Sequence, residues 1–394
     1  MPITQKPRST PPYLPGIRLP WTRFRGLIPF ALALALLLTP VPGPKGGEWE
    51  QGCSAVNARA VGTDEGMVLM REDGSILTTE HYCHAGEYGD GLIRFQTCGP
   101  AGVKESIYLT REGRIALKVR APDTGDFSEG MAPIQDDKGT WGYMDKEGKV
   151  LIAPRFEVGG PFGDGLAPVK IEDKWHYIDN RGQAVFTPQS SGYEVTYLDG
   201  FKFGAAHVVL NDVSSGAKAS GLIDRSGKWV ASPTPYAVGE LGEDGLAAIG
   251  SASGNFGFVD RNGRPVIPAL FTSLPLAPFQ EGLGAVYIGN EENRKGGFIN
   301  TRGEWAIRPT FEGVRHFCDG LAPVEVKNRW GFVDRKGQVV IAPQYEEAQS
   351  FDAGIADVFD MDQMQRLHHW LINRQGAVLY RSSQEIKNIE IHEP

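Results

Sequence analysis

The chain has few of the residues that usually build catalytic or metal centres. Its four cysteines, at positions 53, 83, 98 and 318, form no Cys-x-x-Cys pair, and its eight histidines recur in no fixed register. These absences disfavour a zinc or dithiol site and a Ser/His/Asp arrangement. Glu80 to His84 groups possible metal ligands, but no second cluster stands at a metal-ligand spacing. We therefore expect no catalytic, cofactor-binding or metal-binding residues.

A long apolar run occurs at residues 26–41, shorter than the roughly 20 residues that a spanning helix needs. Basic residues precede it, and no acid appears before Glu48. This order is typical of a secretory signal, although no Ala-x-Ala cleavage site follows. We predict that residues 1–45 are a signal peptide or membrane-anchor leader. The protein is then periplasmic or extracellular, or it is held at the inner membrane by the uncleaved segment.

Positive charge is also scarce once the leader is set aside. The whole chain carries a net charge of −8, and without residues 1–45 the balance is 34 basic against 48 acidic groups, or −14. Nucleic-acid binding depends on clustered Lys and Arg that neutralise phosphates, so this balance disfavours it. It also disfavours contact with an anionic membrane surface, which leaves the N-terminal segment as the expected membrane contact.

Internal repetition dominates the rest of the sequence. The segment WGYMDKEGKVLIAPRF at Trp141 returns as WGFVDRKGQVVIAPQY at Trp330. Further copies are marked by an Asp or Asn with a glycine three positions later, and weaker copies begin at Arg71 and Thr110. The clear markers are Asp145, Asp179, Asp224, Asp260, Asn300, Asp334 and Asn373. Steps of 34 to 45 residues between markers indicate about nine repeats across residues 64–380.

Each copy has the pattern of short β-strands. After Trp330, β-branched and aromatic residues flank the connection from Asp334 to Gly337, which is typical of a hairpin. The Asp side chain can accept from the backbone two residues on, and the glycine supplies a positive φ. A third strand follows a second repeated step, an acid and a glycine, such as Asp319-Gly320. The sequence therefore predicts an all-β array of about nine short, three-stranded antiparallel units.

We assign the repeated residues to the fold and not to chemistry. One aspartate per repeat disfavours a calcium cage, which needs several acids in one loop. Tryptophans at a single register suit packing between units better than ligand stacking. The predicted turn and packing residues are Trp141, Asp145, Gly148, Trp175, Asp179, Gly182, Trp330, Asp334 and Gly337.

The order Trp-Gly-[Tyr/Phe]-[Met/Val]-Asp, then Gly, Ile-Ala-Pro and Asp-Gly-Leu-Ala-Pro-Val, resembles the WG-repeat family of bacterial proteins. The resemblance covers most of residues 64–380 and is close at Trp141 and Trp330. Elsewhere the motif tryptophan is replaced, at Ser220, Phe256, Gly296 and His369, and His176 replaces the motif glycine. The resemblance implies an all-β repeat domain, often exported, with no general activity and no catalytic residues to carry over.

Two arrangements of such units are open. We favour an open solenoid or spiral, because about nine units exceed the usual four to eight propeller blades. The alternative is a closed, propeller-like toroid. The expected domains are the leader at 1–45, an irregular leader at 46–63, the repeat domain at 64–380 and a polar tail at 381–394.

An exported chain can form disulfides, and two cysteines are well placed for one. Cys83 and Cys98 lie symmetrically about Asp90-Gly91, so a hairpin there brings them opposite each other. Pairing of Cys53 with either of them is the competing possibility. Cys318 precedes an acid-Gly step in a core-like position, and we expect it to be a buried free thiol.

These observations predict a non-enzymatic, exported repeat scaffold that binds a protein or an envelope polymer. An envelope protein with a structural or stress-related role and no defined ligand is the alternative. A less favoured alternative is an enzyme with its site in the irregular segments 189–219 or 360–369. The partner is expected to be neither nucleic acid nor a cofactor.

Overall fold

The computed structural model describes residues 58–98, 104–272, 279–290, 292–361 and 367–383. The chain divides into two units, Met1–Glu48 and Trp49–Pro394, and every described residue belongs to the second. The expected leader at 1–45 and most of the expected tail at 381–394 lie outside the described residues. Over the part of the chain that is described, no helix is present, so none could cross a membrane.

The described residues form nine antiparallel sheets that succeed one another along the chain. The first four sheets contain the following strands: sheet 1, β1 (Ala58–Thr63) and β2 (Gly66–Arg71); sheet 2, β3 (His84–Gly89), β4 (Leu92–Gln96), β5 (Lys104–Thr110) and β6 (Ile115–Ala121); sheet 3, β7 (Ala132–Gln135), β8 (Trp141–Met144) and β9 (Val150–Phe156); sheet 4, β10 (Val158–Gly159), β11 (Ala167–Ile171), β12 (Lys174–Ile178) and β13 (Ala184–Phe186).

The remaining five sheets have the same up-and-down order. Their strands are, in sheet 5, β14 (Tyr193–Leu198), β15 (Ala205–Asp212), β16 (Lys218–Asp224) and β17 (Trp229–Thr234); in sheet 6, β18 (Val238–Leu241), β19 (Leu246–Gly250), β20 (Phe256–Asp260) and β21 (Pro265–Phe271); in sheet 7, β22 (Leu283–Ile288), β23 (Lys295–Asn300) and β24 (Trp305–Phe311); in sheet 8, β25 (Gly313–Val314), β26 (Leu321–Val326), β27 (Arg329–Asp334) and β28 (Val339–Tyr345); in sheet 9, β29 (Glu347–Ala348), β30 (Ile355–Met361), β31 (Leu367–Asn373) and β32 (Val378–Arg381).

The all-β tandem array of antiparallel units is therefore confirmed, with two differences in detail. Six of the nine sheets have four strands where three are expected. The extra strand is only two residues long in sheets 4, 8 and 9, too short to leave a recognisable hydrophobic pattern. The first sheet also starts at Ala58, inside the segment 46–63 that was expected to be irregular, because β1 follows no acid-Gly marker.

The core is divided among the contacts between successive sheets. Each of nine buried apolar clusters spans two neighbouring sheets. Between sheets 8 and 9, for example, Phe332 packs on Phe351 with ring centroids 4.8 Å apart. A sheet of this kind is apolar on both faces and is stable only between two neighbours. The end sheets of an open array would each leave one such face in water.

The first and last sheets contact each other and so cover those faces. Val61 and Met70 of sheet 1 lie in one buried cluster with Ile355 and Leu371 of sheet 9. These contacts match the closed, propeller-like alternative. The long repeat step that contains residues 189–219 does not prevent closure, because its extra residues lengthen the β15–β16 hairpin.

Candidate functional site

The repeated Asp-x-x-Gly turns use their side chains to hold their own backbone. Asp334 Oδ1 accepts hydrogen bonds from the backbone N–H groups of Lys336 and Gln338, at 2.9 and 2.8 Å. Gly337 lies at φ 78°, in the left-handed region that favours glycine. The same arrangement occurs at the other predicted turn residues, Asp145, Gly148, Asp179 and Gly182. These carboxylates therefore serve the fold.

The predicted packing tryptophans all contact the following sheet. Trp330 is 8% exposed and belongs to the cluster between sheets 8 and 9. Trp141 lies against Gly159 of sheet 4, where an added Cβ would come within 3.0 Å of its side chain. The Trp175 indole N–H donates to the carbonyl oxygen of Thr196 in sheet 5 at 3.0 Å. Their shared role is contact between repeats.

The acid-Gly steps form a second set of links between repeats. Five of them are two-residue turns with both residues at positive φ, such as Asp319 at 54° and Gly320 at 79°. The Asp319 carboxylate accepts the backbone N–H of Gly354 in the next unit at 2.7 Å. Four more units repeat this link: Asp90 with Gly130, Glu129 with Gly165, Asp164 with Gly204, and Glu281 with Gly320. The sequence shows how often this acid recurs, but it does not show which backbone N–H group the acid binds.

In sheet 5, the first residue of this turn is an aromatic residue and not an acid. Phe203 stands where the acid is expected, at φ 55° and with 48% of its surface exposed. An aromatic residue in the left-handed region is strained, and such strain often marks a functional position. Lys202 precedes it and forms an ion pair of 3.6 Å with Glu240 of sheet 6. The turn thus presents an exposed ring beside a charged pair.

Glu87 and four charged side chains within electrostatic range of it come from five sheets; Lys202 pairs with Glu240 at 3.6 Å, and Asp126 accepts the backbone N–H of Glu87 at 3.1 Å. We call them the axial cluster: Glu87, Asp126, Lys202, Glu240 and Asp352. Glu87 is open to solvent, yet the surrounding protein raises its pKa by desolvation. The carboxylates of Asp126, Glu240 and Asp352 raise that pKa further, and Lys202 lowers it. Side chains from sheets that are not neighbours meet only on the inner side of a closed array. The cluster contains four acids and one base.

Two ionisable residues replace a recurring proline beside the inner edge. At the position that Pro168 and Pro323 occupy in other units, sheet 2 has Arg94 and sheet 5 has His207. The guanidinium of Arg94 donates to Asp126 at 3.0 Å. The His207 ring lies 3.1 Å from the Asp199 carboxylate. A buried charge needs a partner, and each of these residues has one.

At the same position, sheet 9 carries Asp357, which joins the first and last sheets. Its carboxylate pairs with Arg59 of sheet 1 and lies 2.6 Å from His369 Nε2. Burial alone would raise the pKa of Asp357, but the Arg59 charge and the His369 hydrogen bond hold it well below its usual range. This group belongs to the closure of the array, a role that the sequence could not reveal.

The structure contains a disulfide between Cys83 and Cys98, with Cα atoms 5.1 Å apart. The bond removes Cys83 from the possible ligands of the Glu80 to His84 segment. The expectation of a free thiol at Cys318 is wrong, because that residue is 1% exposed and disulfide-bonded. Its partner lies outside the described residues. Burial of Cys318 was correctly expected, but burial does not distinguish a thiol from half of a cystine.

These features define a class, a closed array of β-repeats with a charged interior. Within that class, a model of the WG-containing repeat family matches residues 141–175, 256–291, 297–330 and 330–359. The chain therefore contains repeats of the WG type. Comparison with curated proteins finds no match.

Solved structures are similar to this chain at low sequence identity. The crystal structure of a eukaryotic initiation factor superposes with a TM-score of 0.55 and 10% identity, covering 82% of this chain and 94% of that chain. A lectin from Burkholderia pseudomallei gives a TM-score of 0.31 at 12% identity, covering 76% and 98% of the two chains. The first likeness shows the fold alone.

Proposed function

We propose that this protein is a non-enzymatic, exported scaffold that binds a protein of the cell envelope at the axial cluster. One observation carries the proposal: charged side chains from five different sheets act electrostatically on one another, at positions that vary between repeats, and Lys202 and Glu240 among them form an ion pair of 3.6 Å. In repeat proteins, the shared positions maintain the fold and the variable positions select the partner. Because Asp334, Gly337 and Trp330 all hold turns or interfaces, variation is the better guide to binding.

The chemistry of the axial cluster favours a cationic segment of the partner. Even with Arg94 paired to Asp126, four carboxylates against Lys202 and Arg94 leave a negative balance. Glu240 and Lys202 are 40% and 64% exposed. The exposed ring of Phe203, next to Lys202, offers a face on which an Arg or Lys side chain can lie. A protein segment rich in lysine or arginine satisfies both features. An envelope polymer without cationic groups satisfies neither.

Export is part of the proposal and has separate support. The Cys83–Cys98 disulfide suits an oxidising compartment, because the cytosol keeps thiols reduced. The basic and apolar order of residues 1–45 is the second argument. Fractionation of cells that produce the full chain, with thiol labelling before and after reduction, tests this part. Recovery of the chain in the cytosol with reactive Cys83 and Cys98 would contradict it.

Titration calorimetry with a lysine-rich peptide tests the binding site. We expect Glu240→Lys to weaken binding roughly tenfold, because the reversed charge repels the peptide. Phe203→Ser should weaken it less, through loss of the aromatic face. The matched control is Glu292→Lys, which makes the same charge change in the exposed turn after Asn290.

Equal losses for Glu240→Lys and Glu292→Lys would show that only net charge attracts the peptide, and the axial site would be rejected. If purified envelope polymer binds, and Glu240→Lys does not weaken that binding, the proposed ligand is a polymer and not a protein. If neither probe binds, the structural alternative without a defined ligand replaces the scaffold. Thermal melting of each variant confirms that these exposed changes leave the fold intact.

A further inference from the structure

Exposed apolar side chains recur on the outermost strands of the array. In eight of the nine sheets, a large apolar residue just after the Asp-x-x-Gly turn is more than a third exposed, for example Val185 at 51% and Val339 at 58%. In the sheets with three or four strands, these residues lie at or near the start of the last strand, which has no neighbouring strand on its outer side. Because the turn joins equivalent strands in each unit, the exposed residues all lie at one end of the sheets. Together they form an apolar rim.

Three consecutive sheets, 6 to 8, contribute a continuous part of this rim. We define the rim arc as residues 261–266, 301–306 and 335–340. Its apolar part includes Val340 at 49% and Trp305 at 38% exposure.

Its turns carry five exposed basic residues against three acids, which are Glu304, paired with Arg302 at 2.8 Å, and the capping residues Asp260 and Asp334. The basic residues are Arg261, Arg264, Arg302, Arg335 and Lys336. The arc is therefore positive although the whole chain has a net charge of −8.

The capping geometry explains how the arc becomes positive. Asp260 and Asp334 turn their carboxylates toward backbone N–H groups of their own turns, at 2.8 to 2.9 Å. The residues between the capping side chain and the glycine are mostly exposed and basic, and the Arg335 guanidinium also donates to the Glu281 carbonyl oxygen at 2.8 Å. The net charge of the whole chain therefore does not predict the charge of the rim arc, because acidic and basic side chains are distributed unevenly over the protein.

Two other occupants fit the arc less well. An added β-strand would need backbone groups of the outer strands, but Pro268, Pro309 and Pro343 each remove a donor there. A second copy of the chain would bring a rim of the same charge against this one, and like charges repel. An apolar surface with adjacent Arg, Lys and Trp matches the boundary of an anionic bilayer, where aromatic rings lie among headgroups.

We propose that the rim arc docks on an anionic lipid surface. The basic side chains of the three turns contact the phosphate groups, and Val266, Trp305 and Val339 enter the adjacent apolar layer. In this orientation the array meets the membrane at its edge, which leaves the axial cluster open to a protein partner. The contact uses residues outside the axial cluster, so it can fail or succeed independently of the proposed function.

Co-sedimentation of the full chain with vesicles tests the proposal. The vesicles contain phosphatidylcholine, with or without phosphatidylglycerol. The variant carries Arg264→Glu and Lys336→Glu, and the control carries Lys174→Glu and Lys218→Glu, two exposed lysines at the opposite end of the sheets. Both variants change the net charge equally and keep the N-terminal apolar run, so its own lipid affinity is common to all samples.

We expect the rim variant to bind phosphatidylglycerol vesicles about thirtyfold more weakly than the parent chain, since each of the two basic residues near such a surface contributes about a fivefold factor. The control should retain binding within about a factor of three. Trp305→Ser should weaken binding without changing its dependence on salt.

Equal weakening of the rim variant and the control would overturn the proposal, as would a loss that is independent of phosphatidylglycerol. A rim variant that binds vesicles normally but loses affinity for polyglutamate would assign the arc to an acidic protein. Unchanged thermal midpoints are required of both double variants, so that loss of binding reports the surface and not the fold.

Discussion

Two interfaces of the array are stabilised by different interactions. One joins the consecutive sheets 4 and 5, and the other joins the last sheet, 9, to the first. Between sheets 4 and 5, the Tyr177 ring lies 4.7 Å from that of Phe201, and its hydroxyl donates to the Asp199 carbonyl oxygen at 2.7 Å. Between sheets 9 and 1, smaller apolar residues pack beside charged pairs, Arg59 with Asp357 and Glu72 with Arg374. The closing interface is thus more polar.

Chain connectivity explains the difference. Sheets 4 and 5 are joined by a short connection, so their faces meet at a high effective concentration and apolar packing is sufficient. Sheets 9 and 1 are separated by the whole array, and their contact must offset the entropy of closing that long loop. We infer that the charged pairs also give specificity, because a directional pair such as Arg59 with Asp357 identifies the correct edge among similar apolar faces.

The largest expected loss of stability follows from a substitution in the apolar interface between sheets 4 and 5. Phe201→Ala should destabilise the protein by about 3–5 kcal/mol, since Phe201 is 2% exposed and its removal leaves a cavity beside Tyr177. Urea unfolding followed by fluorescence measures the change. Phe203→Ala is the control, because this exposed ring should contribute less than about 1 kcal/mol. Similar losses for both variants would show that the interface does not depend on the ring pair.

A slightly smaller effect is expected at the closing interface. Asp357→Ala leaves the Arg59 guanidinium largely buried without its partner, and should cost about 3 kcal/mol. Arg374→Ala removes a pair at the same interface whose side chains are 43% and 33% exposed, and should cost at most about 1 kcal/mol. The two unfolding free energies, compared in urea, check the difference. If Arg374→Ala costs as much as Asp357→Ala, burial does not govern the closing pairs.

The turns provide a third test, within a single repeat. Gly337→Val should cost about 1–3 kcal/mol, because φ 78° strains a β-branched residue and the new Cβ would lie 3.1 Å from Ile307. Lys336→Ala, at the exposed neighbouring position, should be nearly neutral. Thermal denaturation midpoints compare the two variants. Coincident midpoints would contradict the role given to the glycine.

The smallest effect concerns pH. The folded pKa of Asp357 lies below its unfolded value of about 4, so its contribution is complete above pH 4 and is lost as the pH falls toward the folded pKa. Lowering the pH from 5 to 3 should therefore remove about 1 kcal/mol more stability from the parent chain than from Asp357→Asn. Urea unfolding at the two pH values measures this difference. Parallel losses in both proteins would mean that other carboxylates account for the acid sensitivity.

Much of the fold was predictable because its determinants are local. An Asp with a glycine three residues later specifies a turn through contacts inside the turn, as at Asp334 and Gly337. The Cys83–Cys98 disulfide was predicted from the hairpin about Asp90-Gly91, also a local relation, and it forms although a bulge between Ala85 and Tyr88 shifts the strand register. The two-residue strands were missed because a segment such as Gly313–Val314 is too short to show alternation.

The amino-acid sequence by itself determined the all-β repeat, its turns and its approximate number of units, since each depends on residues close together in the chain. Only the tertiary structure decided the closure of the array, the pairing of Arg59 with Asp357 and the meeting of Glu87 with Asp352. Those contacts join residues from distant repeats. They depend on the small rotation between successive sheets, which accumulates around the array and leaves no mark in any single repeat.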